Sequence, residues 1–382
     1  MPLKKLLLKP GVNRENTRYT NEGGWYECNN VRFRQGTPEK IGGWTRISSS
    51  TYLGIARSLF NWITLGSQNL VALGTHLKFY VESGGGYNDI TPLRVTTSAG
   101  DVTFSSSAST ISSDITASAT TITIADSTGF PIAGKILIDS EVISYTSITN
   151  NTLNGCTRGA SKVVIGTSTS TTAATHSSGA AVNCFTLIVT DNSHGALVND
   201  FVTFSGAATL GGDISAVMLN QEYKIQAVET ANTYTIHAKS VASQTITDDN
   251  STETPATSSD SSSGGSSVVG AYQINTGASS ANTRIGWGAS GWGAGGWNIG
   301  QGDTETLRIW TQQNFGEDLI FGHRDGDIFY WDASGTLTDR AIKLSNKAGA
   351  SDVPTVQNLI LVSDISRFVF CFGANVLGSA TK

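Results

Sequence analysis

The residues able to carry out chemistry in this 382-residue chain are five histidines, four cysteines and scattered carboxylates among abundant Ser, Thr and Gly. Hydrolytic or transfer catalysis needs a nucleophile, a base and a group that orients the base, all within hydrogen-bond reach. His76, His176, His194, His237 and His323 are spread through Ser- and Gly-rich turns, and His176-Ser177-Ser178-Gly179 and His194-Gly195 have turn composition themselves. No GxSxG elbow, HExxH pair, P-loop or EF-hand loop occurs. With so much serine, some His-Ser-Asp combination always exists on paper and marks nothing. The expectation is a protein that is not an enzyme, with no catalytic, cofactor-binding or metal-ligating residues. Cys28, Cys156, Cys184 and Cys371 show neither CxxC spacing nor a histidine at metal-ligand spacing. They read as free thiols, which fits assembly in a reducing cytoplasm.

Two other residue sets have a chemistry of recognition. Lys4, Lys5, Lys9, Arg14, Arg18, Arg32 and Arg34 crowd the start of the chain and could line a DNA path, because sequence-independent phosphate contact needs only positive charge. A solvated or subunit-contacting face is the alternative. Trp287, Trp292 and Trp297 recur every five residues in the glycine-rich stretch 286–302. An odd spacing sends successive side chains of an extended chain to opposite faces. The indoles are therefore expected to anchor a ribbon in separate pockets, with carbohydrate stacking as the functional alternative. Trp331-Asp332 matches the WD dipeptide of WD40 repeats, but no Gly-His partner precedes it and no Ser-x-Asp-x-Gly-x-Thr-Trp box occurs.

The elements that must position these residues are strands. Charged residues make up 14% of the chain and glycines number 42, a composition poor in helix formers and rich in turn formers. No 11-residue window has convincing 3.6-residue apolar periodicity, so the fold class expected is all-β. Charge is unevenly placed. Residues 1–60 hold ten Lys and Arg against four acids, whereas residues 101–270 hold five against fourteen. A basic end and an acidic middle point to surfaces facing different partners. The three leucines of Leu6-Leu7-Leu8 fall short of a signal-peptide core, and no stretch approaches the ~20 apolar residues of a membrane span, so a soluble, non-exported chain is expected.

Three regions follow. Residues 1–100 alternate apolar and basic from Val31 to Arg34, then offer Leu70–Leu73 and Leu77–Val81 as a hairpin around Gly74-Thr75-His76. Residues 101–182 and 183–270 are Ser/Thr-rich with strands such as Lys135–Ile138, Glu141–Tyr145, Leu187–Val189 and Tyr234–Ile236. They read as one or two small sandwich-like modules with a seam near Gly179–Cys184, and Thr257–Ser267 has the composition of a flexible linker. Residues 271–382 return to the style of the first hundred. One four-strand blade can be drafted over Arg308–Thr311, Asp318–Gly322, Asp327–Trp331 and Arg340–Leu344. Leu70–Val81, Leu319–Trp331 and Leu359–Phe372 echo one another, and Leu319 to Leu359 spans 40 residues, as in a propeller blade of ~40–50. The architecture expected is a propeller-like β domain, incomplete in this chain, interrupted after Pro92-Leu93-Arg94 and resumed near Tyr272.

The two ends of the chain resemble the tail-nozzle, or packaged-DNA-stabilising, proteins of short-tailed bacteriophages. The resemblance is carried by Gly11–Glu15, Gly23–Arg34 with Gly42-Gly43-Trp44, the tryptophan ribbon, and Trp310–Trp331 with Phe315–Leu319. Residues 136–159 look like β-modules inserted into many phage tail proteins, in which a Glu-x-Ile-x-Tyr strand (Glu141–Tyr145) and a Cys-Thr-Arg-Gly turn (Cys156–Gly159) recur. The resemblance covers about two thirds of the chain. It implies a structural subunit in a homo-hexameric ring of the virion tail, assembled in the host cytoplasm. The ring would lie below the portal and its adaptor, contact tail fibre or tip proteins and packaged DNA, and conduct that DNA at ejection. At most three blade-like repeats are found, whereas propellers need about four or more, so closure is expected from another chain or an absent C-terminal part. Two other functions compete: a receptor-binding tail fibre or tail-tip protein meeting the host surface, and a propeller glycosidase. Fibres favour repetitive shafts, which this chain lacks, and no motif supplies the paired acids of a glycosidase.

Overall fold

The structure is a computed structural model that describes residues 8–15, 17–43, 45–46, 48–164, 167–240, 252–275, 277, 307–363 and 365–376. Trp287, Trp292, Trp297, Lys4 and Lys5 lie outside the described residues. The chain is all-β. Among the described residues its one α-helix is the single turn Ala216–Leu219, and no helix is long and apolar enough to cross a membrane. Met1–Ser49 forms one compact unit and Ser50–Lys382 another. In the first, Val31–Arg34 pairs antiparallel with Thr37–Lys40, and Gln35 and Gly36 at φ +49° and +79° make the turn. Val31 and Phe33 are half-buried while Arg32 and Arg34 are exposed, and Trp25 meets Phe33 edge-on at 6.0 Å.

The second unit is built on a stack of sheets. Ala56–Ile63, Asn69–Thr75, Phe79–Ser83 and Gly86–Asp89 form the first blade-like sheet. Trp310–Phe315, Asp318–His323, Ile328–Trp331 and Ile342–Lys343 form the second. Side chains alternate across each strand, so Phe60, Trp62, Ala72, Phe79 and Val81 turn one way and meet Trp310, Leu319, Phe321, Phe329 and Trp331. Phe79 and Phe321 stack with centroids 3.9 Å apart, Trp310 meets Phe79 at 4.9 Å, and Trp62 meets Trp331 edge-on at 6.4 Å. The buried indoles are satisfied: Trp62, Trp310 and Trp331 donate to the carbonyls of Glu317, Thr75 and Asp339 at 2.6–3.0 Å. Each fully buried aromatic of this kind contributes about 1.5–3 kcal/mol through apolar burial.

The opposite face of the second sheet, with Ile320, Ile328 and Tyr330, receives Ile360 of a terminal hairpin, Leu359–Val362 with Val369–Phe372. Leu359–Val362 lies beside Trp310–Phe315, which lies beside Ala56–Ile63, and the Ile360 N–H donates to Thr311 Oγ1 at 3.3 Å. The repeat is thus offset by one strand from the sequence alignment, which matches Leu359–Val362 to Asp318–Gly322. Short apolar strands resemble one another in composition, and only packing decides which strand is a neighbour.

Between the two blade sheets the chain makes a nested excursion. Leu93–Thr96, Phe201–Ser205, Glu222–Lys224 and Val269–Gln273 form one four-stranded sheet, and Thr103–Ser105, Thr186–Thr190, Ala227–Thr230 and Thr233–His237 another. One core that includes Phe104, Leu187, Val189, Val202, Phe204, Tyr234 and Tyr272 belongs to both. A distal module with its own core, from Ile111 to Cys184, is inserted within this sandwich. The sequence reading sets the two modules side by side, as 101–182 and 183–270. In the structure residues before 106 supply strands to the second module, because pairing of Thr103–Ser105 with Thr186–Thr190 is non-local.

Thr257–Ser267 is not a loose linker. Asp260, 2% exposed, accepts hydrogen bonds from the Gly212, Asp213, Ile214 and Thr257 N–H groups and from Thr257 Oγ1, all at 2.8–3.1 Å. One carboxylate with that many donors holds a polar segment that composition alone would leave free.

Candidate functional site

The basic residues of the first unit fall into two groups. Lys9, Arg14 and Arg18 are exposed on the segment that crosses Trp25 and Tyr26: the Lys9 N–H donates to Gly23 O at 2.7 Å and the Asn13 N–H to Trp25 O at 2.9 Å. Arg14 Nε donates to Tyr26 O at 3.3 Å and its NH2 lies 3.8 Å from Glu27 Oε2. The Arg14 and Arg18 guanidinium carbons stand 5.6 and 4.8 Å from the Tyr26 ring centroid, within cation–π range. On the hairpin, Arg32 pairs with cross-strand Glu39 at 3.1 Å, and Arg34 stands on the same exposed face. Lys9, Arg18 and Arg34 have no acidic partner among the described residues. Their charge is the part of this surface open to an anion.

A second polar constellation joins the blades to the excursion, and nothing in the sequence brings its members together. Lys78 is wholly buried in the turn before Phe79–Ser83, and a buried ammonium must be paired. Its Nζ donates to Asp89 Oδ2 and Glu222 Oε1, both at 2.7 Å, and stands 4.7 Å from the Phe201 ring centroid. Arg340 places NH1 3.2 Å from Asp89 and NH2 3.7 Å from Glu222. Two cations and two anions alternate. Burial alone would raise the Asp89 carboxyl, but Lys78 and Arg340 hold it below its ordinary range. Asp89 and Lys78 come from the first blade sheet, Arg340 from the second and Glu222 from the sandwich. The cluster therefore locks three parts of the fold together, and its charges saturate one another.

The distal module has a similar knot. Glu141 is fully buried at the start of Glu141–Tyr145. Its Oε1 accepts from Arg158 Nε and the Gly159 N–H, both at 2.9 Å, and its Oε2 from Arg158 NH2 at 2.7 Å, the Ala174 N–H at 3.0 Å and His176 Nε2 at 2.8 Å. His176 Nδ1 meets Asp139 Oδ2 at 2.7 Å. Burial alone would raise the Glu141 carboxyl; hydrogen bonds from Arg158, Ala174, His176 and Gly159 overcome it and hold it at about 2. The Glu-x-Ile-x-Tyr strand and the Cys-Thr-Arg-Gly turn thus meet in one ion pair. Gly159 is required there: its φ is +62°, and a Cβ would stand 2.9 Å from Thr171 O. Gly159→Ala is expected to destabilise the module by about 1–3 kcal/mol, seen as a lower midpoint in denaturant unfolding with unchanged resistance of the blade core to proteolysis.

Glu253 plays the same part between module and sandwich. It accepts from Lys135 Nζ at 3.1 and 3.2 Å and from the Val163 N–H at 2.9 Å, and it lies 3.3 Å from His237 Nδ1. Burial would raise its carboxyl as well; His237, Val163 and Lys135 hold it at about 2.

The remaining histidines serve the backbone. His76 Nδ1 accepts from the Ile55 N–H, His194 Nδ1 from the Ala196 N–H, and His323 Nδ1 meets Arg324 O at 3.1 Å. Among the described residues no serine or cysteine is bonded to any histidine, and no group of three or more His, Cys, Asp and Glu is placed to hold a metal. The four cysteines are free, and burial pushes the Cys156 and Cys184 thiols up to about 11 and 12, far from the range of a reactive thiolate.

No family model and no curated protein matches the chain. Among solved structures, the phage phi92 endosialidase aligns with 87% of this chain and 46% of its own, at 12% identity and a TM-score of 0.15. The chain spans under half the length of that structure, and a superposition this loose does not establish a shared fold.

Proposed function

We propose that the chain is a structural, non-catalytic subunit of a bacteriophage tail nozzle, part of the ring through which packaged DNA is retained and later leaves. The observation that carries this reading is the division of labour along the chain. A separate basic unit exposes Lys9, Arg18 and Arg34, and a rigidly stacked pair of blade-like sheets carries an acidic excursion locked at its root by Lys78, Asp89, Glu222 and Arg340. The resemblance of the chain ends to tail-nozzle proteins supports it. In this reading six copies surround the exit channel below the portal adaptor, with fibre or tip proteins attached and the virion tail as the place of action. An acidic channel wall would repel DNA, so in this reading the acidic excursion faces away from the DNA.

Charge reversal of Lys9, Arg18 and Arg34 to glutamate tests the DNA contact in assembled particles. Filled heads are expected to leak DNA already at low salt, whereas wild-type heads lose DNA only as salt rises, because phosphate contacts weaken with ionic strength. Particles that assemble and retain DNA normally at all salt concentrations would count against the contact. In a cryo-EM reconstruction, a sixfold tail ring is the expected position of the chain; a peripheral trimer would support the fibre or tip reading instead.

A further inference from the structure

The Lys78–Asp89 pair is arranged for more than attraction. Its side chains are 0% and 6% exposed, whereas the lysines of the Lys135–Glu253 and Lys343–Asp327 pairs are 24% and 33% exposed. Lys78 Nζ lies 2.7 Å from both Asp89 Oδ2 and Glu222 Oε1, and 4.7 Å from the Phe201 ring centroid. Both backbones are fixed. The Lys78 N–H donates to Thr75 Oγ1 and its carbonyl accepts from the Thr75 N–H, both at 2.8 Å, while Asp89 pairs with Tyr80 across the sheet. An amine and a carboxyl held in this way meet at a high effective concentration. Asp89 Oδ1 accepts from the Thr91 N–H at 2.9 Å and from Thr91 Oγ1 at 2.5 Å, and Arg340 NH1 stands 3.2 Å from Oδ2. These donors sit where negative charge develops when the carboxyl carbon is attacked. Glu222, which also accepts from Gln273 Nε2, is a base in contact with the amine.

We propose that Lys78 and Asp89 condense into an amide, a covalent cross-link that ties the turn before Phe79–Ser83 to the end of Gly86–Asp89. Nζ passes one proton to Glu222, which frees its lone pair. The lone pair attacks the Asp89 side-chain carboxyl carbon, and the new C–N bond forms as charge gathers on Oδ1 beside Thr91. Oδ2 then leaves as water, taking the proton back from Glu222 and a second one from the nitrogen; the third stays on the amide. Nothing is oxidised or reduced, and no co-reactant is needed. The driving force is removal of two buried charges, one of each sign, from a site that desolvates them. Arg340 and Glu222 are left as a matched pair 3.7 Å apart. The cross-link does not depend on the tail-nozzle reading.

Mass spectrometry of the purified, folded full chain after denaturation tests it. Trypsin cannot cut after an acylated lysine, so the expected product is peptide 58–94, uncut at Lys78 and lighter than its sequence by one water. Fragmentation is expected to yield no ions from cleavage between residues 78 and 89, which the ring holds together. Asp89→Ala is expected to be cut at Lys78 and to show the full mass. Glu222→Gln, which keeps the shape of the side chain but not the base, is expected to show the full mass when freshly purified, with an unchanged strand signal in circular dichroism. The wild-type mass decides the matter even if either variant fails to fold. A folded wild-type chain cut at Lys78 with the full sequence mass would overturn the proposal, and so would loss of water that persists in Asp89→Ala. Glu222→Gln losing water as completely as wild type would overturn the role given to Glu222.

Discussion

Replacing Arg158 by alanine is expected to destabilise the distal module by about 3–5 kcal/mol, the cost of leaving a buried carboxylate without its counter-charge. Glu141 is fully buried, and Arg158 supplies two of its five hydrogen bonds besides donating to Thr116 O and Ala174 O. Hydrogen exchange should show early loss of protection in Gly134–Ile138 and Glu141–Tyr145 while the blade strands stay protected. Glu141→Gln with Arg158→Met removes both charges and should recover much of the loss, which separates an unpaired charge from lost packing. The pH profile supplies a second readout. A carboxyl held below its ordinary range contributes stability that is complete above the unfolded value and is lost as pH falls through the folded one. For Glu141 and Glu253 that window runs from 4.5 down to about 2. Wild-type chain should lose module stability across this window, and Arg158→Ala should flatten the profile there. A variant as stable as wild type at pH 7 would refute the ion pair's role.

Truncating Phe321 to alanine is expected to cost about 3–5 kcal/mol, the usual range for emptying a buried aromatic site. Phe321 is fully buried, stacks on Phe79 at 3.9 Å and touches Trp310 and Phe329 with centroids at 5.9 and 5.6 Å. Rigid sheets on both sides limit collapse of the cavity, so the loss should sit near the upper end. The effect should fall on the junction between blades: accelerated exchange is expected in Phe79–Ser83 and Asp318–His323 together, with the distal module unaffected. Loss confined to one sheet would mean that the blades do not depend on each other. Phe321→Leu, which keeps apolar volume, should retain most of the stability.

Much of the frame was legible in the sequence because it rests on local pattern. Alternation across Val31–Arg34 placed Arg32 and Arg34 on one exposed face, and the apolar runs around Leu319 and Phe329 marked strands of the second sheet. A shift in composition suggests an exit near Leu93 and a return near Tyr272; in the structure Leu93–Thr96 and Val269–Gln273 are paired neighbours. The sites were less legible. Lys78 looks like an ordinary polar residue in an apolar run, and its partners Asp89 and Glu222 lie 11 and 144 residues away. Even Glu141 and Arg158, only 17 residues apart, do not declare that they touch.

By itself the sequence determined the all-β class, the position of most strands and the uneven charge, since side-chain alternation, turn residues and net charge are local properties of the chain. Tertiary structure alone decided which strand lies beside which, the nesting of one module inside another, the ordering of Thr257–Ser267 by Asp260, and the partners of Lys78 and Glu141. The physical reason is the same in each case. Strand pairing and burial of charge reward contacts between residues far apart in the chain, and the free energy that selects them depends on three-dimensional desolvation, which no window of sequence contains.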